Sequence, residues 1–476
     1  MNATRIALSI FSLLLPLSME TAWASDLVSG VESTIRSIPS GTGYAAHDLC
    51  TRTNVSGDDF ASIRDAYVAP KVQPLPSYWV IANTPGSRVN VSALMTYSRI
   101  GVYRKGMGCT IVKNALDEFS LRLQPFKPVA VTAASNSNWP QGEGAVEGMW
   151  LSDSQKAVLD HHATTIFAET TTDPALKTNA VAFLVAKDGH LVYERYAANY
   201  NRSQPQLGWS MTKTLTALVA GRMEQDRLIS LNAPVGLKQW QGTPKAVITW
   251  GQLLNMAPGL AWTEDYTGGA ESDTTEMLYN QMDQARWAAN HALTSIPGTM
   301  FNYSTGFSNI AMLGMREKLG GSHQSLHDYY QGKLFAPLGI RNGIIEPDAS
   351  GTPVGGARGV LRPVDWLRLG QLVANYGIWN GERLLSQTYM NYFFAPSPAS
   401  IEYGGSVWRH PSTAIPADMR ARLPSDMVWF AGHMGQFMVI APSRNLVVLR
   451  MGVAFDKALA RNQVFATVAD LLDQMH

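Results

Sequence analysis

Ser210-Met211-Thr212-Lys213 places a hydroxyl and an amine three residues apart. On a helix, residues at that spacing share a face, so both groups point into one cleft. A serine hydroxyl is a weak nucleophile until a base takes its proton. A lysine shifted by burial and neighbouring charge acts as that base, or holds a second base in its active form. If Ser210 opens the helix, backbone N–H groups and the helix dipole favour the negative charge that develops there. Ser-x-x-Lys arises by chance in a chain of 476 residues, so other groups must accompany it.

Two further segments supply such groups. In Pro297-Gly298-Thr299-Met300-Phe301-Asn302-Tyr303-Ser304, Tyr303 is a general-base candidate, because a nearby ammonium stabilises a phenolate. Taken alone, Tyr303 reads equally as a half-buried core tyrosine. In Gly432-His433-Met434-Gly435-Gln436, Gly435 would let a substrate approach an edge strand, and the Gln436 N–H would join that of Ser210 as an oxyanion hole. Two familiar alternatives are missing. There is no Gly-x-Ser-x-Gly elbow and no His-Glu-x-x-His. His161-His162 has no matching ligand pair, so no metal or organic cofactor is expected.

Order and spacing together resemble the penicillin-recognising serine hydrolases: class C beta-lactamases, D,D-peptidases and their esterase and amidase relatives. The resemblance runs from about Ser152 to the C-terminus. Gly208-Trp209-Ser210-Met211-Thr212-Lys213, the run Ile248 to Met256, Trp262-Thr263-Glu264-Asp265-Tyr266 and the run Arg362 to Leu372 are most similar to 6-aminohexanoate-dimer hydrolases. The resemblance implies Ser210, Lys213 and Tyr303 as the catalytic set, and Tyr266 as a substrate-facing hydroxyl that assists a leaving amine. The family's Tyr-x-Asn is here Tyr303-Ser304-Thr305, and its Lys-Thr-Gly is here His433-Met434-Gly435. The lost lysine removes a fixed cation for a substrate carboxylate, and His433 is mostly neutral near pH 7. Both departures favour a small amide or ester over a beta-lactam. A D,D-peptidase or weak beta-lactamase is the enzymatic alternative. A ligand-sensing or wall-binding module is the non-catalytic one.

These residues need a scaffold. Ala180 to Tyr196 reads as a hairpin around Lys187-Asp188-Gly189-His190. After Trp209 the residues Leu215, Leu218, Val219 and Met223 repeat at helical spacing. Helices are predicted from Ser152 to about Thr170 and from Gln463 to Gln474, and strands at Phe437–Ile440 and Leu446–Arg450. Strands at both ends with helices between them predict an α/β (α+β) fold, an antiparallel sheet flanked by helices with an inserted helical subdomain. The resemblance implies the beta-lactamase/transpeptidase version of it.

The N-terminal part reads differently. Arg5, the apolar stretch Ile6 to Met19 and the small-x-small site Ala22-Trp23-Ala24 have the layout of a signal peptide over residues 1–24. That layout implies a periplasmic or secreted bacterial protein. Residues 25–145 read as an extension, with short strands and a polar linker near Ala134–Asn138, ahead of a hydrolase domain at 146–476. The two cysteines, Cys50 and Cys109, suggest one disulfide in an oxidising compartment, with two free buried thiols as the alternative. A net charge of +1 offers no basic field for nucleic acid. No later apolar run is long enough for stable membrane insertion. The expected partner is a small-molecule amide or ester.

Overall fold

The computed structural model describes residues 37–72, 79–94, 97–129, 135–173, 176–266 and 272–475. Residues 1–24, expected to form a signal peptide, lie outside the described residues.

The extension is a helix, α1 (residues 37–51), packed on a four-stranded antiparallel meander of β1 (Trp79–Thr84), β2 (Arg88–Ala93), β3 (Tyr97–Arg104) and β4 (Gly108–Val112). A short helix, α2 (Ala115–Arg122), follows. Cys50 on α1 and Cys109 on β4 form a disulfide across a sequence separation of 59. Val89, Val91, Ile63 and Leu49 bury around it. Gly101 permits the close crossing of β3 over α1, since a Cβ there would stand 2.4 Å from the Ala46 carbonyl oxygen.

The second part contains α3 (Asp153–Phe167), the hairpin β5 (Ala180–Lys187) and β6 (His190–Tyr196), and α4 (Met211–Gln225). A largely helical stretch follows, including α5 (Thr305–Lys318) and α6 (Pro363–Ala374). The chain closes with β7 (Val428–Gly432), β8 (Gln436–Ala441), β9 (Leu446–Gly452) and α7 (Lys457–Asp473). The sheet order is Trp408–Arg409, β7, β8, β9, β5, β6, antiparallel throughout. The expected hairpin turn is made by Asp188 and Gly189, both at positive φ (52° and 83°), as a two-residue turn between twisted strands requires.

Side chains alternate across this sheet. Met438, Ile440, Val447 and Leu449 face α4 and α6, while Phe437, Val439, Leu446 and Val448 face α3 and α7. Both faces are covered, which is why the strands read as continuous apolar runs. Helix α7 begins six residues ahead of the expected Gln463, at Lys457, because the Asp456 carboxylate accepts from the Leu459 N–H at 2.8 Å and caps it. Helix α3 has its capping box at Ser152 and Gln155 and ends at Phe167.

The segment that follows the polar stretch is pinned to this body. Trp139 is buried and donates to the Val364 carbonyl at 3.3 Å. Glu143 meets Arg341 and Arg362, each at 2.9 Å, and Arg368 at 3.4 Å. The extension is pinned as well. The buried Glu346 carboxylate accepts from His47 Nε2 (2.7 Å), Thr51 Oγ1 (2.9 Å) and the Cys109 N–H (2.7 Å).

Candidate active site

The chain enters α4 through a tight bend. Trp209 has φ +48°, a left-handed conformation that a bulky residue adopts only when its surroundings hold it. Its ring is held by Tyr44 of α1 at 6.0 Å, by His47 of α1 at 6.5 Å and by His433 at 5.3 Å. Behind the bend, Trp366 of α6 packs on Gly208, where a Cβ would meet its ring at 2.2 Å. The Arg362–Leu372 motif is therefore a buttress for the loop that carries Ser210. Its Asp365, bonded to Arg362 and Arg368, fixes that helix end.

Ser210 takes the N-cap position of α4, and Lys213 lies one turn inside, 1% exposed. Lys213 Nζ donates to Ser210 Oγ (2.8 Å), Thr305 Oγ1 (2.8 Å) and the Gly356 carbonyl (3.0 Å). Gly356 is presented by the loop ahead of Gly359–Leu361, which pairs with Gln206–Leu207 in a small three-stranded sheet. The ammonium also sits over the Tyr303 ring, 4.6 Å from its centroid. Tyr303 thus reaches Lys213 with its face. Among the described residues, its hydroxyl makes no hydrogen bond to Ser210 or Lys213.

Thr305 opens α5, and against it lies Glu264, for which the sequence left two readings open. Glu264 reads from sequence as solvated or one layer behind the site. In the structure its side chain is 6% exposed and 3.5 Å from Lys213 Nζ. It accepts from the Thr305 N–H (2.5 Å), Thr305 Oγ1 (2.6 Å), Trp262 Nε1 (3.0 Å), Thr274 Oγ1 (2.9 Å) and the Tyr266 hydroxyl (2.9 Å). Burial pushes its carboxyl up, but Lys213, Thr305 and Trp262 together pull it below the usual range. A carboxylate at the start of α5 is also favoured by the helix dipole. The only sequence signal was Thr305 in place of an amide, a hydroxyl that lets a carboxylate approach.

Tyr266 is 39% exposed, and its ring lies 5.3 Å from that of His433. Burial of its hydroxyl, the Glu264 charge and Tyr303 keep it protonated well above the ordinary tyrosine range. His433 occupies the turn between β7 and β8, and burial, with Lys71 and Lys457 adding to it, holds its imidazole well below 6.5. At that turn the end of β7 meets the loop ahead of Ser210: a Cβ on Gly432 would stand 2.3 Å from the Gly208 carbonyl oxygen. The expectation for Gly435 requires correction. The strand after it, β8, is interior to the sheet, and a Cβ on Gly435 would meet Ala454 at 2.7 Å, Arg450 at 3.0 Å and Ala460 at 3.1 Å. Its small size serves packing and a φ of +80°, not substrate approach. Gln436 is buried, and its side chain bonds both backbone groups of Gly452, which ties β8 to β9 beside the loop. Of the histidine pair, His162 is bonded to Asp470 at 2.8 Å.

An antiparallel sheet between helical layers, with a serine and a lysine at the start of a buried helix, defines a class. The chain belongs to the beta-lactamase family, whose model matches residues 168–458. It is a hydrolase of the beta-lactamase/transpeptidase fold. Among solved structures it is similar to a Bacillus anthracis protein assigned as a 6-aminohexanoate-dimer hydrolase. The two share 20% identity over 63% of this chain and 79% of that one, with a TM-score of 0.52. A Bacteroides dorei protein assigned as a beta-lactamase shares 17% identity over 68% and 99% of the chains, with a TM-score of 0.52. EstCE1, a hydrolase with promiscuous acyltransferase activity, shares 17% identity over 66% and 98%, with a TM-score of 0.51. At these identities the likeness is one of fold. No curated protein matches the chain.

Proposed function

We propose that this chain is an exported serine hydrolase that cleaves a small amide or carboxylic ester through an acyl-enzyme on Ser210. The observation that carries the reading is the 2.8 Å contact between Ser210 Oγ and Lys213 Nζ at the N-terminus of α4. Ser210 attacks the carbonyl, and Lys213 beside it, with the Tyr303 ring against the ammonium, handles its proton. The N–H groups of Ser210 and Gln436 hold the oxyanion. Tyr266 protonates the leaving atom, and water then releases the acyl group.

Substrate class rests on charge. A neutral His433 stands where the resemblance implies a lysine, so no cation at that position awaits a substrate carboxylate. A neutral carbonyl compound suits it better than a penicillin or an acyl-D-Ala peptide. Export rests on the layout of residues 1–24 and on the disulfide in the extension. Among the described residues no helix is long and apolar enough to cross a membrane. Of the extension expected at residues 25–145, Tyr44 and His47 wall the Trp209 side of the hydrolase domain at 146–476.

Turnover of p-nitrophenyl butyrate, of a 6-aminohexanoate dimer and of a D-amino-acid amide by the wild type and by Ser210→Ala tests this. Hydrolysis that the substitution abolishes is expected. Full activity in the variant rules the reading out. Stable acylation by labelled penicillin would move the substrate class to beta-lactams and cell-wall peptides.

A further inference from the structure

Lys213 Nζ has all three of its hydrogen-bonding positions filled. Its three N–H groups are committed to Ser210, Thr305 and Gly356, and a lysine ammonium has three donors and no acceptor. It takes the serine proton only by releasing one. The Gly356 carbonyl is no base, and Ser210 is the proton's source. The third partner leads outward: the Thr305 hydroxyl accepts from Lys213 at 2.8 Å and donates to Glu264 Oε1 at 2.6 Å. The same Oε1 accepts from the Tyr266 hydroxyl at 2.9 Å, and Tyr266 is exposed at the surface. One unbroken chain of hydrogen bonds therefore joins Ser210 to Tyr266, the hydroxyl proposed above to protonate the leaving atom.

We propose that Glu264 receives the proton of Ser210 through Lys213 and Thr305 and returns it to the leaving group through Tyr266. This rests on Ser210 being the nucleophile. As Ser210 Oγ bonds to the acyl carbon, its O–H bond breaks and the proton goes to Lys213 Nζ. Nζ gives one of its protons to Thr305 Oγ1, and the Thr305 hydroxyl proton moves to Glu264 Oε1. Lys213 and Thr305 end as they began. Glu264 is now the neutral acid, and the negative charge lies on the substrate oxygen. On collapse the carbon–nitrogen or carbon–oxygen bond breaks, the leaving atom takes the Tyr266 proton, and Tyr266 regains one from Glu264. In deacylation the relay runs in reverse: as water bonds to the acyl carbon it gives a proton to Tyr266, which passes its own to Glu264, and a proton returns through Thr305 and Lys213 to Ser210 Oγ as the acyl carbon–oxygen bond breaks.

The surroundings of Glu264 suit a charge that comes and goes. Lys213 of α4 is the cation on it, the N-terminus of α5 faces it, and Thr274, Trp262 and Tyr266 donate to it. Tyr303 and the neutral His433 adjoin Tyr266, and the buried Tyr403 packs edge-on to Tyr303 at 5.9 Å. At rest the carboxyl is ionised and free to accept. Glu264 touches no substrate; it is a positioning residue for the proton.

The test compares Glu264→Gln, Glu264→Asp, Thr305→Val and Thr305→Ser with the wild type, by kcat and KM on p-nitrophenyl butyrate from pH 5 to 9 and by fluorophosphonate labelling of Ser210. Glu264→Gln and Thr305→Val should each lose about 100-fold in kcat with KM little changed, a typical loss for general acid–base catalysis. Glu264→Gln should also lose the acid limb of the kcat profile. Glu264→Asp keeps that limb, and Thr305→Ser, which retains the hydroxyl, recovers most of the kcat that Thr305→Val loses. Thr305→Val leaves the Lys213–Glu264 pair in place, so it decides the matter if the Glu264 variants fail to fold. Wild-type kcat in Thr305→Val, or equal losses in Thr305→Val and Thr305→Ser, overturns the relay. A wild type that is labelled at Ser210 while Thr305→Val keeps full kcat sinks the relay alone. A wild type that takes no label, with Ser210→Ala as active as wild type, sinks the nucleophile as well.

Discussion

The Tyr44 ring lies flat against the Trp209 ring, with centroids 6.0 Å apart and planes 10° from parallel. One ring belongs to the N-terminal extension, and the other precedes Ser210 in a left-handed backbone conformation. Tyr44 is 7% exposed and sits in the main hydrophobic core of the hydrolase part. Tyr44→Ala should cost about 3–5 kcal/mol, the usual range for emptying a buried aromatic site. It should also lower kcat by freeing Trp209. Urea unfolding midpoints and initial rates check the two effects separately.

Lys213→Ala should do more than stop turnover. It leaves Glu264 charged and buried without its cation, which costs about 3–5 kcal/mol for a broken buried pair. Lys213→Ala with Glu264→Gln should recover part of that stability and none of the activity. Thermal melts of the two variants distinguish this from a lysine whose only work is catalytic.

Tyr266→Phe should separate substrates by leaving group. A p-nitrophenolate leaves without a proton, so ester turnover should fall little. An anilide or alkyl amide needs the proton and should lose about 100-fold. The ratio of the two rates is the measurement.

The His433 imidazole is held well below its ordinary value by burial first, and then by Lys71 and Lys457. A histidine with a lowered folded value favours the folded state fully above pH 6.5, its unfolded value, and that contribution drains away as pH falls toward the folded value. Wild-type stability should therefore drop between pH 7 and pH 5 more steeply than that of His433→Gln. Melting temperatures across that range check the sign.

The sequence carried the local parts of this site and missed its connections. Ser210 and Lys213 were legible because three residues on a helix are neighbours by geometry. The β5–β6 hairpin was legible because Asp188-Gly189 names its turn. The alternation in β8 and β9 was hidden because both faces are covered. Glu264 escaped because its partners Lys213, Thr274 and Thr305 come from three separate helices, and no spacing links them. The Cys50–Cys109 pair was readable as a disulfide, but its neighbour Glu346 was not. Only the folded chain brings that carboxylate to His47, Thr51 and Cys109. Gly435 misled because a glycine before a strand looks the same whether it opens a cleft or closes a turn.

The most direct measurement is the mass of the protein after reaction with a fluorophosphonate probe, with the adduct mapped by peptide sequencing. One adduct on Ser210 is expected, absent in Ser210→Ala and slowed in Lys213→Ala. An adduct on another serine, or an unlabelled wild type that still hydrolyses the ester, would contradict Ser210 as the nucleophile.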